Sequence, residues 1–241
     1  MTSRAQPDLF APGVAETPAF ALVPSPAGPI GVRRRLAGVD TLDEAETLER
    51  LVTRCQPGVA DPAGVAEALL ARFGDIGHVL GAPHAELAQT VGWDIAAELT
   101  LLHALLVRAL QYPLRRREAL GSWEAATAYL RARLTPLPRE VFHVLFLDTK
   151  NQLIADERMA EGSVNHAPVY PREIVRRALE LSANAVLLAH NHPSGDPTPS
   201  RADIEMTKLV VEAAKALQIQ VHDHIIVGGD AVVSLRRQGL M

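Results

Sequence analysis

The spacing of hydrophobic positions changes near residue 120 of this chain. Between Thr41 and Leu110 apolar residues recur at steps of three and four, the period of amphipathic helices, without strand-like alternation. Leu99–Leu110 is apolar on nearly all sides, which predicts a helix buried inside a small bundle. The first half is therefore expected to be all helical.

Beyond residue 120 short apolar runs alternate with amphipathic segments. A helix is predicted from Trp123 to about Leu134, and the runs Val141–Leu147 and Leu153–Met159 form a predicted β-hairpin. Helices at 171–181 and 200–217 then alternate with strands at 184–189, 219–227 and 231–235. This order predicts an α/β chain of the α+β type, with one mixed sheet flanked by helices and an antiparallel hairpin at each end.

Three parts follow from these patterns. Residues 1–30 hold six prolines without apolar periodicity and are predicted to be a disordered lead-in. Residues 31–118 form a small all-helical domain, and residues 119–241 form the sheet domain.

Composition narrows the class of protein. A chain of 241 residues with 48% hydrophobic residues can bury a large core, and its longest apolar runs are far shorter than a membrane span. With no signal segment and the single cysteine Cys55, we expect a cytoplasmic protein without membrane contact. The formal net charge of -4 does not support a nucleic-acid partner.

Two histidines and an aspartate have the spacing of a metal site. His190 and His192 follow a buried strand at positions i and i+2, so both side chains point to one side. Asp203 lies at the end of a loop braced by three prolines, and it is the natural third ligand. Imidazole nitrogen and carboxylate oxygen are zinc ligands, and a catalytic zinc keeps one position for water. We expect one Zn²⁺ per chain.

The same residues also have a purely structural interpretation. Ser200 and Asp203 have the spacing of a helix N-cap with an acidic first turn, and a lone H-x-H pair is weak evidence for a metal. The joint spacing of the pair, the serine and the aspartate behind an apolar strand favours the metal. The cap and ligand roles are compatible with each other.

These motifs resemble those of a known family. The JAMM (MPN+) metalloprotease signature H-x-H-x7-S-x-x-D is matched at His190 by the segment H-N-H-P-S-G-D-P-T-P-S-R-A-D. This segment resembles the variant of the signature found in the RadC family. Similar pieces are E-V-F-H-V-L-F-L-D at Glu140, V-Y-P-R-E-I at Val169, N-A-V-L-L-A-H-N-H at Asn184 and D-H-I-I-V-G at Asp223. The resemblance covers residues 122–241 in order.

The resemblance implies a function and a role for each residue. His190, His192 and Asp203 match the zinc ligands, with water in the fourth position. Ser200 matches the serine that hydrogen-bonds the substrate oxyanion, and Glu140 matches the glutamate that hydrogen-bonds the metal water and transfers its proton. The implied activity is zinc-dependent hydrolysis of a peptide or isopeptide-like amide bond, with a peptide or protein as substrate.

Several other polar residues can be interpreted as structural instead of functional. From the residues alone Glu140 is an ordinary solvated acid before a strand, and only the resemblance selects it. Asp223 and His224, inside an apolar strand, are either partners of the metal ligands or satisfied structural groups. His143 and His166 are interpreted as structural.

The front half resembles the helix-hairpin-helix region of RadC proteins less closely. In Gly92-Trp93-Asp94 an acid occupies the position of the second hairpin glycine, where a carboxylate repels phosphate. Two alternatives to the hydrolase therefore stay open: a DNA-repair or recombination factor that binds DNA, which the family name suggests, and a non-catalytic interaction domain.

Overall fold

The computed structural model describes residues 42–116, 123–162 and 169–241. The predicted lead-in at 1–30, the predicted boundary near residue 118 and His166 lie outside the described residues. The chain separates into two units, Met1–Leu42 and Asp43–Met241, and every element described below belongs to the second unit.

Helices occupy the first part of this unit, as the apolar periodicity predicts. Their bounds are α1 Glu44–Cys55, α2 Pro62–Phe73, α3 Ile76–Gly81, α4 His84–Val91 and α5 Trp93–Arg116. Aspartate carboxylates cap the first three helices by accepting backbone N–H groups, as Asp43 does from Glu46. Leu48, Leu69 and Leu99 belong to the core that these helices enclose.

The prediction that Leu99–Leu110 is fully buried is wrong on one face of α5. Leu99 is buried, whereas Leu101 and Leu105 are each 52% exposed. Among the described residues α5 packs along one side, which leaves these two leucines exposed on the other. Despite these leucines, none of the helices in the described ranges combines the length and the apolar character that a membrane crossing requires.

The second part contains the predicted mixed sheet. After α6 Trp123–Leu134, the elements are β1 Val141–Leu147, β2 Leu153–Glu161, α7 Pro171–Glu180, β3 Ala185–Asn191, α8 Arg201–Lys215, β4 Gln220–Gly228 and β5 Ala231–Ser234. The strand order is β2-β1-β3-β4-β5, with β3 and β4 parallel and the other neighbours antiparallel. The α+β prediction, with a hairpin at each end, is confirmed.

The two faces of the sheet carry different helices. In β1 the alternate residues Leu145 and Leu147 pack in the same core as Leu130 and Leu134 of α6. Phe142, Val144 and Phe146 point to the other face, where they pack with residues of α7 and α8. Because strand side chains alternate between faces, this division decides on which side each polar residue of β1 and β3 lies.

Candidate metal centre

The two predicted histidine ligands lie at the carboxyl end of the central strand β3. His190 is the penultimate residue of β3 and is 1% exposed, and it stacks on Phe142 of the neighbouring strand with ring centroids 6.0 Å apart. His192 follows the strand, and its backbone N–H still bonds to Val227 of β4 at 2.8 Å. The sheet therefore holds both backbones in place.

Asp203 and Ser200 meet at the start of α8. Ser200 is the N-cap, its hydroxyl accepts from the Asp203 N–H at 3.2 Å, and its own N–H donates to Asp203 Oδ2 at 2.8 Å. The Ser200 hydroxyl also donates to Asp203 Oδ2 at 2.6 Å. The predicted cap is confirmed, and the carboxylate that it holds directs Oδ1 at His190 and Oδ2 at His192.

His190, His192 and Asp203, called the His–His–Asp cluster below, converge on one point. One nitrogen or oxygen atom from each lies within 4.8 Å of the others. Asp203 Oδ1 is 3.4 Å from His190 Nε2, and Oδ2 is 3.6 Å from His192 Nε2. The two Nε2 atoms are 2.9 Å apart, a distance at which two lone pairs repel unless a proton or a metal ion lies between them. The donor set fits a divalent metal such as zinc.

A chain of hydrogen bonds determines which nitrogen of His190 faces Asp203. Thr207 donates its single hydroxyl hydrogen to the backbone carbonyl of Asp203 at 2.6 Å, so its oxygen accepts from His224 Nδ1, also at 2.6 Å. Nε2 of a neutral His224 then accepts from His190 Nδ1 at 2.8 Å. The lone pair of His190 is therefore on Nε2, as a metal ligand requires.

The proline-rich loop orients the second histidine. The Nδ1 atom of His192 lies 2.7 Å from the backbone carbonyl of Asp196, to which it donates, so the lone pair of the neutral ring is also on Nε2. The loop approaches β4 so closely that a Cβ on Gly228 would lie 2.5 Å from the backbone nitrogen of Pro197. This contact requires glycine at that position.

Burial and charge favour the metal-binding protonation state in His190 and Asp203, whereas at His192 they favour the protonated ring, whose Nε2 proton a metal ion would displace. Burial is the main cause that lowers the pKa of His190 to about 4, so its ring is neutral at pH 7. Burial alone would raise the pKa of Asp203, but His192, His190 and Ser200 together hold it well below the usual range. The pKa of His192 is raised, first by Asp203 and to a smaller extent by other groups that include Glu140.

Asn191 positions the segment that carries Glu140. Its buried side chain accepts the Val141 N–H at 2.9 Å and donates to the carbonyls of Leu137 and Arg139 at 3.1 and 3.0 Å. Phe142 pairs with His190 across the antiparallel strands, so Glu140 precedes β1 on the same side of the sheet as the cluster. Its carboxylate raises the pKa of His192, as expected for a neighbouring negative charge.

The two residues of the D-H pair in β4 do different things. His224 is fully buried and contacts His190, whereas Asp223 accepts from Ser234 and from the backbone N–H of Arg236 and so fixes the turn after β5. The sequence left two interpretations open for this pair: His224 is a partner of a predicted metal ligand, and Asp223 is a satisfied structural group. Thr207 and Asn191 were missed, because a threonine inside a helix and an asparagine between two histidines carry no local signal of their contacts.

Comparison with protein families supports the resemblance. A family model described as the RadC-like JAB domain matches residues 120–240, about half of the chain. The match includes α6, all five strands and the His–His–Asp cluster.

Proposed function

Because the chain belongs to the RadC family, we propose that its JAB-type domain is a zinc-dependent hydrolase that cleaves a peptide or isopeptide-like amide bond. The observation that carries this proposal is the convergence of His190, His192 and Asp203 on one point, with the Nε2 atom of each ring and an ionised carboxylate directed at it. Two imidazoles and one carboxylate leave a fourth position open, the pattern of catalytic rather than structural zinc sites.

The His–His–Asp cluster would hold the ion, and the ion when bound supplies Lewis acidity that lowers the pKa of water toward neutrality. The protein supplies the orientation. His190 is fixed by His224, His192 by the carbonyl of Asp196, and Asp203 by the first turn of α8. Since these contacts already restrict all three side chains, little side-chain entropy would be lost on binding.

Glu140 is the proposed proton carrier. It is half-buried on the cluster side of the sheet, and Gly162 holds its backbone carbonyl at 2.9 Å. A carboxylate there accepts a proton from the attacking water and delivers it to the leaving amine. The Ser200 hydroxyl, whose one hydrogen is directed at Asp203 Oδ2, would turn this hydrogen toward the substrate as the proposed donor to the oxygen on which charge develops.

Two variants test the proposal separately from the choice of substrate. His192→Ala should lose stoichiometric zinc, measured by elemental analysis of purified protein. Glu140→Gln should retain zinc and lose cleavage in an unbiased screen of peptides and isopeptides, with Glu212→Gln, an exposed acid on α8, as the matched control. Full zinc content in the histidine variant, or cleavage that persists in the Glu140 variant, would refute the assignment.

A further inference from the structure

A second concave site lies on the face of the sheet opposite the His–His–Asp cluster. It is a cavity of about 560 Å³ between α4, the end of α6 and strands β1 and β2. Its charged or titratable lining residues are Glu86, Arg133, Arg139, His143, Arg158 and Glu161. His143 lies on the same face of the sheet as Leu145 and Leu147, whereas His190 stacks on Phe142 on the other face.

His143 has an unused nitrogen at the cavity wall. The residue is 3% exposed, and its Nδ1 bonds to Asp156 Oδ1 at 2.7 Å. The other oxygen of Asp156 accepts the Tyr129 hydroxyl at 2.5 Å, so the carboxylate is held from both sides. Within the described ranges no hydrogen bond reaches His143 Nε2. Every fully buried side-chain nitrogen or oxygen in these ranges has a hydrogen-bond partner, so Nε2 is not fully buried. Nε2 is therefore open to the cavity that His143 lines.

The lining offers an anion two guanidinium groups. Three arginines face two glutamates, but Arg133 also pairs with the buried carboxylate of Asp156 behind His143, at 3.6 Å. The guanidinium groups left for an anion are therefore those of Arg139 and Arg158. An anion could replace Glu161 as the partner of the two arginines. Glu161 is shared between Arg158 at 2.7 Å and Arg139 at 3.6 Å, and because all three side chains are more than a third exposed, these ion pairs are weak.

We propose that this cavity binds a small oxyanion, a carboxylate or a phosphate group, between the guanidinium groups of Arg139 and Arg158 and an Nε2–H group of His143. Because Nδ1–H already donates to Asp156, binding would take up a proton at Nε2 and hold the ring as an imidazolium. Guanidinium groups bind both anions through paired hydrogen bonds, and the fixed imidazole adds a contact that a flexible surface site lacks. Arg139 and Val141 flank Glu140, so the anion site and the proposed proton carrier share one segment of chain.

The test follows the imidazole of His143 directly. Full-length protein with ¹⁵N-labelled histidine, treated with a chelator so that added anions meet no metal, is titrated with inorganic phosphate and separately with acetate at constant ionic strength. Long-range ¹H–¹⁵N spectra should show a saturable shift of His143 Nε2 with at least one of the two. The responding anion identifies the ligand class, and a linear drift or no shift with both would overturn the proposal.

A matched pair of arginine variants shows whether the anion is bound at this cavity. Arg158 and Arg176 have side chains that are both 59% exposed and both paired with glutamate, but Arg176 lies on α7 and does not line the cavity. Arg158→Gln should weaken anion binding about tenfold, the usual effect of losing a charge-assisted contact, whereas Arg176→Gln should leave it unchanged. Equal affinities in the two variants would place the anion elsewhere and refute the site.

Discussion

The Nδ1 atom of His190 lies 2.8 Å from Nε2 of His224, and neither residue is more than 1% exposed. A residue of β4 therefore fixes both the ring orientation and the tautomer of a residue of β3. Thr207 extends the connection to the backbone of Asp203, so that two members of the His–His–Asp cluster belong to one hydrogen-bonded unit. Such outer partners commonly determine the affinity of a metal site.

Replacing His224 with leucine, which keeps most of the volume but removes the acceptor, should weaken zinc binding by about 10–100-fold. Competition against a chromophoric chelator measures this dissociation constant. Thr207→Val, a nearly isosteric change, should weaken binding in the same direction. His222→Leu is the control, since His222 lies on the same strand but bonds to Asn151 at 2.7 Å. An unchanged zinc affinity in folded His224→Leu would contradict a positioning role.

The proximity of the three proposed ligands could be predicted from the sequence, whereas their supporting contacts could not. His190, His192 and Asp203 are close along the chain, and strand alternation with a helix start is enough to bring them together. His224 meets His190 only through the register of the parallel pair β3 and β4, which shifts at an irregularity between Val186 and Leu187. No local pattern specifies that shift.

A similar limit explains α5 and His143. The apolar character of Leu101 and Leu105 predicts burial, but exposure depends on which helices pack around α5. His143 acquires a partner because the hairpin brings Asp156 of β2 next to β1, and the predicted hairpin does not reveal which side chains meet across it. Interactions between distant segments are therefore the part that only the structure supplies.

Asn191→Ala should separate the orientation of Glu140 from metal binding. The change removes three hydrogen bonds that hold residues 137–141, at a cost of roughly 2–4 kcal/mol in the free energy of unfolding. Zinc content should be unaffected, because the ligands on either side keep their backbone bonds, while cleavage should fall at least tenfold. Chemical denaturation and metal analysis measure the two effects. Loss of zinc together with stability would assign Asn191 to the metal site itself.

Gly228→Ala tests the close approach of the proline-rich loop to β4. A Cβ at this position would lie 2.5 Å from the nitrogen of Pro197 and 2.8 Å from the carbonyl oxygen of Gly195, so the loop must move. Because the loop orients His192, the variant should bind zinc at least tenfold more weakly. Gly229→Ala is the comparison: its Cβ comes no closer than 3.5 Å to Gly195, although its φ of +52° adds local strain. Equal zinc affinities would show that the loop tolerates the displacement.

Asp156→Asn should destabilise the protein in a pH-dependent manner. Burial alone would raise the pKa of Asp156, but the hydrogen bond and charge of His143, with Tyr129 and Arg133, lower it below its usual value. A carboxyl whose pKa is lower in the folded state stabilises the fold above its unfolded pKa of about 3.9, and this contribution is lost as the pH falls through the folded value. The variant should therefore lose roughly 2–4 kcal/mol at pH 7. The difference from the parent protein should shrink at acidic pH below about 4, as urea unfolding at both pH values would show.

Asp230→Asn is the control for Asp156→Asn. It removes a fully exposed partner of Arg131 and should change the free energy of unfolding by less than about 1 kcal/mol. A deficit of the same size at both pH values would mean that the amide is tolerated poorly for its shape, and not because the charge of Asp156 is needed to hold His143.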